Sequence, residues 1–458
     1  MVPGSDGCNM RSTLVLAQLA LLTSSAHAFY PFRPKWITEA EEKRSLESRD
    51  GHVGGNGKDV TFAIKQGGRE VNLSFCPSPR SRLRHANIAS QSSSPAHEKA
   101  AREAMRLSRK YGRRVANDPN ESSVVKRENN YDIMEAEETG DHLTAGVDQD
   151  GTDNSYFVEV QFGSKGKELH MLIDTGASAT WVMGSNCDTE ACSKHESFGA
   201  DDSDTFEQSD KSFSVSYGSG HVKGKLASDT VSLAGMGFTY QFGVADQTSD
   251  DFSYFAFDGI LGLAMNNGAT ENFLQAMDDA DEVDANVFGI SLHRAADGSN
   301  DGEIKFGSPN EARYKGDITY TSTGSKGDDW AIPLDDAAYD GKSAGVGGVL
   351  AHIDTGTTYI FGSKELVKSF HSVIPGASSS DGTTYKVPCD SQAPLTFTFS
   401  GVDFEVSSKD WISPPHDDGS CTSNIYGEEV VKGSWLLGSA FLKNVYTIFD
   451  KDKKRIGK

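Results

Sequence analysis

Ile173-Asp174-Thr175-Gly176 and Ile353-Asp354-Thr355-Gly356 are the same four residues written twice, 180 positions apart. In each copy an apolar strand runs into an acid, and a hydroxyl and a glycine follow at once. A carboxylate at the end of a buried strand is costly unless close donors satisfy it. The Thr-Gly turn supplies backbone N–H groups for that purpose. The surroundings repeat as well: Ile260-Leu261-Gly262 follows the first acid by 86 residues, and Leu436-Leu437-Gly438 follows the second by 82. A strand ending in glycine can cross close behind an acid-bearing turn, because no side chain stands in the way. Two copies in register imply a duplicated lobe, with one acid from each lobe facing a shared cleft.

The rest of the chain fits an all-β reading. It has 458 residues and 47 glycines, and turn-rich Ser/Thr/Asp segments recur between short Val/Ile/Phe/Tyr runs. Helical periodicity is confined to short stretches such as residues 363–373. The sequence therefore predicts a first β lobe over 153–320 with Asp174 and a second over 321–458 with Asp354. No His-Glu-x-x-His occurs and the 12 histidines are scattered, which disfavours a metallohydrolase. Asp148-x-Asp150-Gly151 has its glycine at the wrong position for a calcium loop. Gly218-x-Gly220 lies on a Tyr/Val-rich hairpin with no helix after it, which excludes a nucleotide site. No metal, cofactor or nucleic-acid partner is expected. Two carboxylates could serve a glycosidase, but that chemistry does not predict paired Thr-Gly turns.

Residues 1–28 read as a secretory signal: Arg11 is the positive flank, 14–22 the apolar run, and Ala26-His27-Ala28 the cleavage site. Met10 is an alternative start. No other apolar run reaches the length of a membrane span, so no membrane anchor is expected. Of the six cysteines, Cys8 falls in the signal and Cys76 in the leader. The other four allow three pairings, and local spacing favours Cys187–Cys192 and Cys389–Cys421; Cys-x4-Cys lacks a partner pair for zinc. Residues 29–127 hold 20 Lys/Arg against 11 Asp/Glu, whereas 128–458 hold 23 against 54. A basic leader before an acidic body reads as an electrostatic latch that loosens as carboxylates protonate. The leader carries dibasic pairs at Lys43-Arg44, Arg113-Arg114 and Lys126-Arg127, sequons at Asn72 and Asn120, and a helix-forming composition over 96–111. Residues 128–152 are acidic, turn-rich and poor in apolar residues, so 29–152 reads as a basic propeptide followed by a flexible acidic connector.

Beyond the two Asp-Thr-Gly copies stand Trp181, Tyr217-Gly218-Ser219-Gly220, Phe257-Asp258-Gly259-Ile260-Leu261-Gly262-Leu263-Ala264, Trp435-Leu436-Leu437-Gly438 and Ile448-Phe449-Asp450. In this order they resemble the pepsin-like aspartic proteases, in their fungal secreted form, over residues 153–458. The resemblance implies a bilobal, pseudo-symmetric β fold with a central cleft and a β-hairpin flap. Asp174 and Asp354 would be the catalytic pair, and Gly176, Tyr217, Gly218, Ser219, Gly356 and Thr357 would meet the substrate. Tyr217 would reach the indole N–H of Trp181. Flap glycines permit positive φ and leave backbone groups free for an extended peptide. Sharing one proton between two close carboxylates is established behaviour for aspartic proteases. One carboxyl then activates water and the other polarises the scissile carbonyl. The family pattern further implies a monomer that acts on peptides or proteins and is held latent by its own propeptide. Lys110-Tyr111 resembles the pair with which such prosegments occupy the cleft. An extracellular destination follows, with an acidic vacuole as the alternative.

Three departures carry consequences. Ala177 stands where the family usually has Ser; losing that hydroxyl should raise the dyad's lower apparent pKa. Ser439 stands where many members have Asp, and losing that charge should act the other way. Ser219 replaces the flap Asp with which some members accept Lys at P1, so cleavage between bulky apolar residues is expected. The competing function is a pepsin-fold binding or inhibitor protein without catalysis. Such proteins usually lose an aspartate or its glycine, and this chain keeps both pairs.

Overall fold

A computed structural model describes residues 61–66, 69–74, 131, 133–217, 220–416 and 418–458. The chain divides into two compact units, Arg33–Lys126 and the remainder. Within the first unit the description covers an antiparallel hairpin, Thr61–Gln66 with Arg69–Ser74, which includes Asn72. The expected signal, the helix over 96–111, Lys110, Tyr111, Asn120, Cys8, Cys76 and the dibasic pairs lie outside the described residues.

The second unit is built from sheets. The strand Tyr156–Phe162 alternates after its first two residues, with Glu159 and Gln161 exposed and Val158, Val160 and Phe162 buried. That is the period-two signature of a sheet with one face on a core. It belongs to an eight-stranded sheet in the order Asp148–Gln149, Tyr156–Phe162, Lys167–Asp174, Gly259–Gly262, Trp181–Met183, Met236–Thr248, His221–Leu233, Glu207–Ser216. The second half contains a five-stranded sheet: Ala331–Leu334, Val349–Ile353, Trp435–Leu437, Ile360–Gly362, Ile425–Gly427. A four-stranded sheet accompanies it: Lys342–Ser343, Asp336–Tyr339, Leu395–Phe399, Val402–Val406.

The duplication read from the motifs is present in the pairing. Lys167–Asp174 runs parallel to Gly259–Gly262, which is antiparallel to Trp181–Met183, itself parallel to Met236–Thr248. Val349–Ile353 repeats the scheme with Trp435–Leu437, Ile360–Gly362 and Ile425–Gly427. A fourth, six-stranded sheet takes strands from both halves: Tyr320–Ser322, Arg455–Gly457, Thr447–Asp450, Val287–Ser291, Glu303–Phe306, Thr144–Gly146. The strand Tyr320–Ser322 straddles the 320/321 boundary expected between the lobes. Helices are short. Lys364–His371 begins at Ser363, whose hydroxyl accepts the Leu366 N–H as an N-cap. Both expected disulfides form, Cys187–Cys192 and Cys389–Cys421.

The segment read as a flexible connector differs from expectation. Thr144–Gly146 edges the six-stranded sheet and Asp148–Gln149 edges the eight-stranded one. Upstream, Met134 bridges to Gln149 and Ala136 to Asn300, whose side-chain amide donates to the Met134 and Val147 carbonyls. Strands this short carry no readable period; Thr144–Gly146 is ordered by a partner strand more than 150 residues away along the chain, and Asp148–Gln149 by its neighbour Tyr156–Phe162.

Candidate active site

Each Asp-Thr-Gly turn is the end of a buried strand with another strand passing behind it. Asp174 is opposite Gly262, and the Leu263 N–H donates to the Asp174 carbonyl at 2.8 Å. In the second lobe the Asp354 N–H donates to the Leu437 carbonyl at 3.0 Å. The glycines are needed for that closeness. A Cβ on Gly262 would stand 2.8 Å from the Ala177 and Ala179 carbonyls, and one on Gly438 would stand 2.2 Å from the Thr357 carbonyl.

The two turns grip each other through their threonines. The Thr175 N–H donates to Thr355 Oγ1 at 3.0 Å, and the Thr355 N–H donates to Thr175 Oγ1 at 3.1 Å. Each hydroxyl then donates to a carbonyl of the other lobe: Thr175 to Ile353 at 2.9 Å, Thr355 to Ile173 at 2.7 Å. These four bonds are fully buried and two-fold symmetric, and they fix the separation of the acids. Sequence reasoning treated the threonines only as part of a donor-bearing turn. The signal for more was present, since both copies keep Thr at the same place.

Gly356 completes the approach: a Cβ there would stand 2.4 Å from Asp174 Cγ. Asp174 and Asp354 are buried, and their carboxyls hydrogen-bond one another. Their other partners differ. Asp174 Oδ1 accepts the Gly176 and Ala177 N–H groups, both at 2.9 Å, but Oδ2 receives no donor from outside the pair. Asp354 Oδ1 accepts the Gly356 N–H at 2.9 Å, and its Oδ2 accepts the Thr357 hydroxyl at 2.6 Å. Burial raises both carboxyls above the usual range, and the neighbouring Asp354 charge pushes Asp174 further up. On Asp354 the Thr357 hydroxyl, the Gly356 amide and the bond with Asp174 pull back against burial. The missing hydroxyl at Ala177 is thus felt at Asp174, while Asp354 keeps the donor from Thr357. Ser439 heads the short helix Ser439–Leu442, and its hydroxyl donates to the Thr358 carbonyl at 3.0 Å.

Above the dyad, Tyr217 ends the strand pair Glu207–Ser216 and His221–Leu233, in which Ser216 faces His221. Its phenol accepts the Trp181 indole N–H at 2.6 Å, and both rings are buried. Burial and the Asp174 charge raise the Tyr217 phenol, so it stays protonated. Phe252 supports both rings edge-on, at 5.2 Å from Trp181 and 5.9 Å from Tyr217. No sequence signal had singled out Phe252. The expected flap residues Gly218 and Ser219 lie outside the described residues, as do Lys110 and Tyr111. Among the described residues no cluster of acidic, His or Cys side chains has the arrangement of a metal site, and no helix is long and apolar enough to cross a membrane.

Comparison with known proteins agrees with this geometry. Residues 155–458 match the family model of the eukaryotic aspartyl proteases. The aspartic-type endopeptidase ctsD of Aspergillus fumigatus is 39% identical over 338 residues, covering 73% of this chain and 71% of the relative. The probable aspartic-type endopeptidase CTSD of Arthroderma benhamiae is 38% identical over 339 residues, 73% of this chain and 66% of its own. Pig pepsin A is 34% identical over 318 residues, 67% of this chain and 81% of its own. With two lobes, one aspartate from each, and a tyrosine-bearing hairpin beside them, the chain belongs to the eukaryotic aspartyl protease family and is an aspartic-type endopeptidase.

Proposed function

We propose that the protein is a secreted aspartic endopeptidase, made as a zymogen, that cleaves between bulky apolar residues at acidic pH. The observation that carries this reading is the buried Asp174/Asp354 pair with its unequal donors. Donors favour the charged form of a carboxylate, so the shared proton belongs on Asp174 and the charge on Asp354. Asp354 then takes a proton from the attacking water, while Asp174 donates to the scissile carbonyl oxygen as negative charge develops there. Gly176, Gly356 and Thr357 would meet an extended peptide with Tyr217 above it, and the family pattern adds Gly218 and Ser219 to that set. The neutral Ser219 offers no partner for a basic P1 side chain.

Latency belongs to the leader. On the sequence pattern residues 1–28 direct export, the basic charge of 29–127 complements the acidic body at neutral pH, and Lys110-Tyr111 resembles the pair with which family prosegments occupy the cleft. Below the carboxylate range that attraction fades, and processing at a dibasic pair releases a monomeric enzyme to the extracellular space. Acidification of the purified full chain, followed by digestion of a denatured protein, tests the reading. Activity blocked by a statine peptide and absent in Asp174→Asn and Asp354→Asn is the expected result. Full turnover in either variant would end it. A peptide library returning mainly Lys or Arg at P1 would remove the specificity assignment alone.

A further inference from the structure

We propose that Tyr131 is a positioning residue for the flap. On this reading Tyr131, with Ile133 beside it, is a strap that holds the Tyr217–Trp181 pair over the dyad. The inference rests on the assignment of Tyr217 to the flap.

The geometry runs in a continuous line. The Tyr131 hydroxyl donates to the Ser253 carbonyl at 2.5 Å, a contact spanning 122 residues. Its ring stacks on His195, with centroids 5.1 Å apart and planes 29° from parallel. Ile133 packs into the same apolar cluster. His195 is buried, and its two ring nitrogens meet the Ala191 and Phe255 carbonyls at 2.7 and 2.8 Å. Tyr131 therefore holds the short 3-10 helix Asp250–Tyr254 directly at Ser253 and through His195 at the residue that follows it.

That helix is what the flap stands on. Ser249, at its N-cap, exchanges two bonds with His221, the first residue of the returning flap strand: its N–H donates to the His221 carbonyl at 3.0 Å, and its hydroxyl accepts the His221 N–H at 3.1 Å. Gly220 leaves no slack, because a Cβ there would meet Ser249 Oγ at 2.9 Å. From within the helix, the buried Phe252 ring touches both Trp181 and Tyr217. A shift of the helix moves the flap base and the Tyr217–Trp181 hydrogen bond together. Processing after Arg127 leaves Tyr131 in place as the fourth residue of the mature chain. Processing between Ile133 and the body would remove it, so the position of the cut sets how firmly the flap is seated.

The test uses the full chain, activated by acidification, with active sites counted by titration with a tight-binding statine peptide. Tyr131→Phe keeps the ring and loses the hydroxyl; Tyr131→Ala loses both. For a peptide long enough to run under the flap, KM is expected to rise about threefold in Tyr131→Phe and about tenfold in Tyr131→Ala, with kcat per titrated site nearly unchanged. An enzyme cut at a specific protease site introduced after Glu138 should behave like Tyr131→Ala. Wild-type KM in Tyr131→Ala and in the shortened enzyme would overturn the proposal. So would a loss confined to the number of titratable sites, which marks a purely structural role. Tyr217→Ala is the control: unchanged kcat/KM there would show that the flap assignment, and not the strap, is at fault.

Discussion

At the scale of single residues, the site depends on where side chains are missing as much as on where they stand. Gly356 lies against the Asp174 carboxyl, and Gly356→Ala would drive a methyl into it at 2.4 Å. The turn must then move, the threonine grip with it, and kcat is expected to fall by about 100-fold or more, measured per titrated site. Ala177 and Thr357 predict opposite limbs of the pH profile. Thr357→Ala removes a donor from the charged Asp354, so its pKa rises and the acid limb of kcat/KM should move up by about one pH unit. Ala177→Ser gives Asp174 a donor, lowers the higher pKa of the pair, and should bring the alkaline limb down by a similar amount. The sequence had placed the Ala177 effect on the lower apparent pKa. With the proton proposed to rest on Asp174, the effect belongs to the higher one, because the hydroxyl retained at Thr357 favours charge on Asp354.

At the scale of elements, the helix Lys364–His371 ends in a residue unsuited to an acidic environment. His371 is buried and stacks on Tyr385 with centroids 4.0 Å apart. Nδ1 bonds the Val367 carbonyl, while Nε2 has no hydrogen-bond partner. Burial pushes the imidazole down to about 4, despite the helix C-terminus that favours a cation. The folded state therefore holds the neutral form. Stability begins to fall as pH drops below the unfolded value near 6.5, and the loss is complete below the folded value. His371→Leu should gain on the wild type between pH 7 and 4, by up to about 3 kcal/mol, read as the difference in urea midpoints at the two pH values.

At the scale of the whole molecule, a second histidine works in the opposite sense. His170 lies between Asp148, on the edge strand near the chain's entry to the body, and the buried Asp258, at 3.8 and 3.7 Å. Burial lowers its pKa, but bonding and attraction to Asp258, followed by Asp148 and Glu159, win and raise it. Its stabilising effect is complete below the unfolded pKa and disappears as pH rises through the folded one. His170→Gln should thus be less stable than the wild type at mildly acidic pH and equal to it above neutrality, by thermal midpoints across that range. Much of this architecture was legible beforehand. The repeated Asp-Thr-Gly turns, the later glycine-ended strands and both disulfides carry signals in the chain itself: a strand period, a glycine where backbones cross, cysteine spacing; the Trp181–Tyr217 pair was implied by the family resemblance alone. The threonine grip, the edge strand Thr144–Gly146 and the seat of Phe252 under the flap were not readable. Each depends on groups far apart in the chain, and their energies arise only when folding removes water and brings donor, acceptor and ring together. The sequence by itself determined that two acids would be presented on matching turns, only one of them with a hydroxyl three residues on, at Thr357 against Ala177; tertiary structure decided how the two turns lock together and that both acids are shut away from water, because desolvation and donor geometry exist only in the packed site.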